Sequence, residues 1–189
     1  MRLKDSRVLT ISSLLVSLGI LAGFFKISVS NILEIRLVSL PIALAGAVFG
    51  PGIAAIIGML SDLGGYMVAT TGPYFPGFTL SYGLTGILYG LILKDGGGNS
   101  VSLKRVILSV TANALLVSIL LNSLWLNILY PGRGFYAVMS ARVLKEIIMI
   151  PVYVILITAI LKPMLKFYRG DTRINPYLPE KPDGEEIDR

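Results

Sequence analysis

The sequence predicts an all-α integral membrane protein, a compact bundle of six transmembrane helices with a short, bent second helix. Three observations carry this. Of 189 residues, 54% are hydrophobic and 15% are charged, whereas a soluble domain carries about a quarter charged residues. Mean hydropathy is strongly positive, and several apolar runs reach the roughly 20 residues that cross a bilayer core. The chain carries a net charge of +6, and its basic residues sit at the ends of apolar runs, which fits orientation in a membrane better than nucleic-acid binding. The chain has no cysteine and no histidine. That composition excludes disulfide stapling, thiolate nucleophiles, imidazole bases and the usual zinc or haem ligation.

The first span covers residues 8–25. It is one apolar helix among several, so it reads as a span and not as a secretory leader ahead of a soluble body. The second covers 37–49. Pro41 should remove a backbone hydrogen bond there, and Gly50-Pro51-Gly52 ends the run abruptly. About 13 residues is short for a straight crossing, so this helix is expected to be bent or partly re-entrant and packed against protein. The third and fourth spans cover 53–69 and 78–93, the fifth 106–129 and the sixth 138–165. Residues 95–100, Asp-Gly-Gly-Gly-Asn-Ser, are flexible by composition. Residues 171–189 are polar, Pro-containing and net negative, the composition of a disordered tail. The chain therefore divides into a six-helix membrane domain, 1–170, and a polar tail, 171–189.

Positive charge fixes the orientation. Arg2, Lys4 and Arg7 precede the first span, Lys94, Lys104 and Arg105 flank the loop after the fourth, and Lys162, Lys166 and Arg169 close the sixth. With six spans all three clusters fall on one side, which should be the cytoplasm of a multi-pass protein of the cell membrane; both termini are then inside. Only Lys26, Arg36 and Arg133 lie in the opposite loops.

On this topology nearly all intramembrane polar groups gather in the outer half of the bundle. Asp62 and Tyr66 end the third span, Asn122 and Trp125 end the fifth, and Arg142, Lys145 and Glu146 lie one to two turns into the sixth, counting about 1.5 Å per residue. Between Tyr66 and Ser81 runs a stretch rich in glycine, proline and aromatic residues. Irregular backbone at the lip of a membrane domain suits closure over a small flat ligand; a tight turn between packed helices is the alternative. Charges inside a membrane are costly and face a cavity or a partner. Arg142 and Glu146 are four apart and can pair along one face, with Lys145 beside them. Two cations against one carboxylate suit an anionic ligand group, or else form an internal network that orders the bundle. Trp125, the only tryptophan, shares a region with Asn122 three residues away, or anchors the interface. Tyr74, Phe75 and Phe78 could stack on a planar ring or form an aromatic belt. Asp62 could accept paired N–H donors from a ring edge, or cap a loop. Ser13-xxx-Ser17, Gly19-xxx-Gly23 and Gly86-xxx-Gly90 set small residues four apart, a spacing that allows close helix approach inside the bundle or against another membrane subunit.

The order of these features resembles the substrate-binding S components of energy-coupling factor (ECF) vitamin transporters, and most closely their folate-specific branch. The resemblance covers residues 8–166. It rests on Phe49-Gly50-Pro51, Asp62-Leu63-Gly64-Gly65-Tyr66, Tyr74-Phe75-Pro76-Gly77-Phe78-Thr79-Leu80-Ser81, Gly86-Ile87-Leu88-Tyr89-Gly90, Leu121-Asn122-Ser123-Leu124-Trp125, and Arg142-Val143-Leu144-Lys145 with Pro151. The Tyr74–Ser81 run is the most specific of these.

The resemblance implies a six-helix bundle that captures folate outside with high affinity and delivers it inward by reorienting on a transmembrane T component, driven by two ABC-type ATPases. It implies no enzyme activity and no cofactor in this chain, ATP being used by the partner subunits. No Gly-rich phosphate loop followed by Lys-Ser/Thr is present in the sequence, which agrees. It points to Arg36, Tyr74, Phe75, Phe78, Asn122, Trp125, Arg142 and Lys145 as ligand contacts, beside the Asp62 and Tyr66 read from position. Ser13 and Ser17 stand where the family sets small residues, usually alanine, against the T component. The rival readings are an S component for pantothenate, riboflavin or a queuosine precursor, an intramembrane enzyme using Asp62 and Glu146, and a structural membrane subunit.

Overall fold

Five helices are long and apolar enough to cross a membrane, and a shorter one, Ser39–Phe49, completes the six expected crossings. The computed structural model describes residues 6–24, 26–28, 34–68, 73–94, 102–130 and 135–170. The proposed tail, the loop at 95–100, and Arg2, Lys4 and Arg133 lie outside the described residues, as do the side chains of Lys26, Arg36, Lys166 and Arg169.

The elements are α1 (Ser6–Phe24), β1 (Lys26–Ser28), β2 (Glu34–Arg36), α2 (Ser39–Phe49), α3 (Pro51–Val68), α4 (Pro76–Leu93), α5 (Leu103–Ala112), a π-helical segment (Asn113–Leu121), α6 (Asn122–Leu129) and α7 (Phe135–Gly170). Successive crossings alternate in direction, so Ser6 and Gly170 lie at one end of the bundle, here the base, and the connections before α2, α4 and α7 lie at the other, the rim. At the rim β1 and β2 pair antiparallel with Lys26 opposite Arg36 and Ser28 opposite Glu34. This small hairpin has no counterpart in the sequence reading, because strands of three residues carry too little alternation to detect.

The second helix is buried along almost its whole length, from Pro41 to Ala47 and at Phe49, so it packs against protein as expected. Pro41 acts differently from the expectation. It stands in the first turn after the N-cap Val38, where backbone N–H groups have no intrahelical acceptor, so the proline removes no helical bond. The abrupt end does follow from Gly50, whose φ of +86° is strained for any residue with a Cβ. Its N–H returns to the Gly46 carbonyl, and Pro51 opens α3 directly, as suits a residue with fixed φ at a first helical position.

The most extensive pairing in the bundle is between α3 and α4. A Cβ at Gly86 would meet the Ala54 carbonyl, at Gly90 the Pro51 backbone, and at Gly58 the Tyr82 carbonyl. The Gly86-xxx-Gly90 face is therefore internal packing, and Gly19, set against Ser61 of α3, is too. Such contacts replace the hydrophobic driving force that lipid does not supply between helices. The apolar core concentrates toward the base: Val8, Phe49, Ile53, Leu93, Val106, Leu161 and Leu165 all belong to it. Outward faces carry large apolar side chains such as Leu14, Leu18, Leu91, Leu144 and Ile155, as a lipid-facing surface requires. Pro151 and Pro163 lie inside α7, in a membrane setting where neighbours re-satisfy the carbonyls they orphan.

The fifth crossing holds a feature the sequence did not suggest. Its centre, Asn113–Leu121, is π-helical over nine residues, where π geometry usually survives only as a single turn. The Asn122 N–H is donated to the Val117 carbonyl, five residues back, and α-helical bonding resumes beyond it.

Candidate functional site

The rim half of the bundle holds most of the predicted site residues in two groups. The first begins at the outer end of α3. Asp62 Oδ2 accepts a hydrogen bond from Thr79 Oγ1 at 2.6 Å, and Tyr74 Oη lies 2.9 Å from the same Thr79 oxygen. A hydroxyl has one proton to give. Thr79 gives it to the carboxylate, so Tyr74 is the donor to Thr79. This relay ties the segment before α4 to α3 across a proline-rich turn. The Tyr66 ring packs beside Tyr74 with centroids 5.1 Å apart.

The aromatic series continues across the rim. Phe75 stands edge-on to Phe78 at 6.0 Å and lies 5.6 Å from the Trp125 ring, both within the range of favourable ring pairs. Trp125 donates its indole N–H to Ser81 Oγ at 3.1 Å, so its polar handle is spent inside the bundle and not at a membrane interface. Gly77 makes room for this: a Cβ there would collide with the Phe75 ring and with Trp125 Cδ2. One helical turn before Trp125, the Asn122 Oδ1 is buried with no hydrogen-bond partner among the described residues, and so is Ser123 Oγ. A buried acceptor of this kind costs free energy until a donor reaches it.

The second group joins α7 to the π segment. Arg142 Nη1 donates to the Ser118 carbonyl at 3.1 Å. Ser118 Oγ in turn donates to Glu146 Oε1, and Glu146 is buried. Arg142 and Glu146 lie one turn apart on α7, so a single residue of the fifth crossing holds both. Lys145, half-buried, stands beside Glu146 on the same helix. Arg142 and Glu146, expected from sequence to share one helix face, both bond Ser118, a serine that the sequence reading did not single out.

Among the predicted residues, Asp62, Tyr66, Tyr74, Phe75, Phe78, Asn122 and Trp125 fall in the first neighbourhood, and Arg142 and Lys145 in the second. Arg36 is placed by its backbone in β2 at the rim, its side chain lying outside the described residues. Ser13 and Ser17 stand apart, exposed on α1, each donating its hydroxyl to its own helix at the Leu9 and Ser13 carbonyls. The sequence reading missed Thr79 and Ser81 as partners, though both stood in the quoted run. It also missed Ser118, a lone hydroxyl between Val117 and Ile119. The available signal was that a hydroxyl deep in an apolar helix needs an acceptor.

Flat rings, oriented acceptors and cations within one rim suit the capture of a planar ligand that carries both donors and negative charge. No group of three or more potential metal ligands occurs among the described residues.

Residues 7–167 match the family described as "ECF transporter, substrate-specific component". The folate transporter FolT of Clostridium novyi (strain NT) is 35% identical over 155 residues, spanning 82% of this chain and 88% of that protein. The folate transporter FolT of Leuconostoc mesenteroides subsp. mesenteroides is 26% identical over 154 residues, spanning 79% of this chain and 82% of that protein. Among solved structures, a crystal structure of FolT bound with folic acid superposes with a TM-score of 0.70 at 30% identity, covering 79% of this chain and 89% of that chain.

Proposed function

The chain belongs to the substrate-specific components of ECF transporters, and from that membership we propose that it is the folate-binding component of such an importer. The observation that carries the reading is the fold shared with a protein solved with folic acid, and the aromatic rings, acceptors and cations in the rim half of the bundle support it. Folate combines a flat pterin with carboxylates, and each part has a counterpart here. The pterin packs among Tyr66, Tyr74, Phe75, Phe78 and Trp125. Asp62 and the orphaned Asn122 Oδ1 accept from its amino and ring N–H donors, and Arg142, Lys145 and Arg36 meet the carboxylates.

In this reading the chain is a transport subunit and not an enzyme, and it carries no cofactor of its own. The rim faces outside and both termini face the cytoplasm, as the basic residues Arg7, Lys94, Lys104, Arg105 and Lys162 near the base favour. The exposed Ser13 and Ser17 face of α1 docks on a transmembrane T component, and paired ABC-type ATPases power the delivery step.

Titration calorimetry of the detergent-purified chain with folic acid, against riboflavin and pantothenate, tests the proposal. Tight one-to-one binding confined to folic acid is expected. Binding of a control vitamin alone would keep the transporter class and replace the substrate, and no binding by a folded sample would overturn the reading.

A further inference from the structure

Glycine is less favourable than alanine inside a helix, and most helical glycines here have a reason in the fold. A Cβ at Gly58, Gly64, Gly86 or Gly90 would strike a neighbouring element. Gly65 of α3 has no such reason. No atom among the described residues lies within 4 Å of where its Cβ would stand, and its backbone does not need the positive φ that Gly50 adopts.

The direction in which Gly65 points decides what this means. Ile56, Leu60, Leu63 and Met67 form the exposed, lipid-facing stripe of α3. At about 100° per residue, Gly65 points away from that stripe, in line with Ala54, Gly58 and Ser61. Those three positions are closed. Ala54 and Ser61 are buried, Gly58 abuts the Tyr82 carbonyl, and Ser61 lies against Gly19 of α1. One turn nearer the rim the packing loosens on both helices. On α1, a Cβ at Gly23 would make only an ordinary contact with Val38, at 3.8 Å, and on α3 Gly65 meets nothing. The bundle interior is therefore sealed at Ser61 and open at Gly65. That opening stands one turn above Asp62 and next to Tyr66, whose ring packs beside Tyr74.

We infer that Gly65 is a specificity-determining position of the pocket: its bare backbone is a wall against which the ligand's rings lie flat, and its missing side chain sets the width open to them. Close approach of a ligand to the backbone is a standing use of glycine. The inference rests on the folate reading above.

The test uses the full-length chain purified in detergent. Gly65→Ala is expected to bind folic acid about tenfold more weakly and Gly65→Leu about a hundredfold, as for groups forced into a filled site. The ligand-free melting temperature of Gly65→Ala should equal or exceed that of the parent, since the added methyl meets no part of the fold. A lower melting temperature for Gly65→Ala, or unchanged affinity in both variants, would overturn the inference. Gly65→Cys adds a direct readout, because the chain has no other thiol. It should react with a small methanethiosulfonate reagent and be protected by saturating folic acid. No reaction, or reaction that folic acid leaves unchanged, would also overturn it. If the parent binds riboflavin or pantothenate in place of folic acid, the folate reading falls, and the same series on that vitamin decides the role of Gly65. If the parent binds none of the three, both fall.

Discussion

Thr79 shows how one hydroxyl decides the shape of the rim. It donates to Asp62 and accepts from Tyr74, and so fixes both the carboxylate at the end of α3 and an aromatic ring on the neighbouring turn. Thr79→Val keeps the side-chain shape and removes both bonds. Folic acid affinity is expected to fall about tenfold, as for a lost hydrogen bond to a charged acceptor, with Thr79→Ser close to the parent; calorimetry on samples of matched thermal stability measures it. Gly77→Val should act through packing. The added carbons would drive into Phe75 and Trp125, part the ring pair, and weaken folic acid binding while the Thr79 relay stays intact. An unchanged affinity would remove that ring pair from the site. The aromatic residues of this region were legible because they cluster within a dozen positions. Thr79 and Ser81 were not, because their partners Asp62 and Trp125 lie 17 and 44 residues away, and hydroxyls are common in membrane helices.

At the scale of elements, α1 and α4 use small residues in opposite ways. Gly86 and Gly90 of α4 let backbone meet backbone, so Gly86→Leu should unfold or severely destabilise the bundle, read as a large loss of melting temperature in detergent. Ser13 and Ser17 on α1 give their hydroxyls to carbonyls of their own helix, and the apolar side chains beside them, Leu9, Leu14 and Leu18, are exposed. Ser13→Leu with Ser17→Leu is therefore expected to leave folic acid binding unchanged and to stop uptake in whole cells. A loss of binding as well would move that face into the bundle's own packing. The stop after α2 was legible because Gly50-Pro51-Gly52 is local punctuation. The π segment was not. Its run from Ala114 to Leu121 is apolar at nearly every position, so α and π registers present the same pattern.

For the whole molecule, the number and order of crossings could be read directly, since a bilayer admits only segments that satisfy their own backbone. Sidedness is open to direct measurement in a chain without cysteine. Tyr136→Cys, at an exposed rim position, should react with an impermeant maleimide on intact cells. Ser102→Cys, exposed before α5, should react only after the membrane is opened. The reverse pattern would invert the topology. The last helix has one more consequence. α7 runs 36 residues, roughly 54 Å at about 1.5 Å each, against a hydrocarbon layer of roughly 30 Å. With its first turns at the rim, α7 is long enough for its last turns to reach past that layer at the base, like a tiller. A partner gripping that tip would have leverage over the whole bundle, and any tilt of the ligand-holding end would register there first.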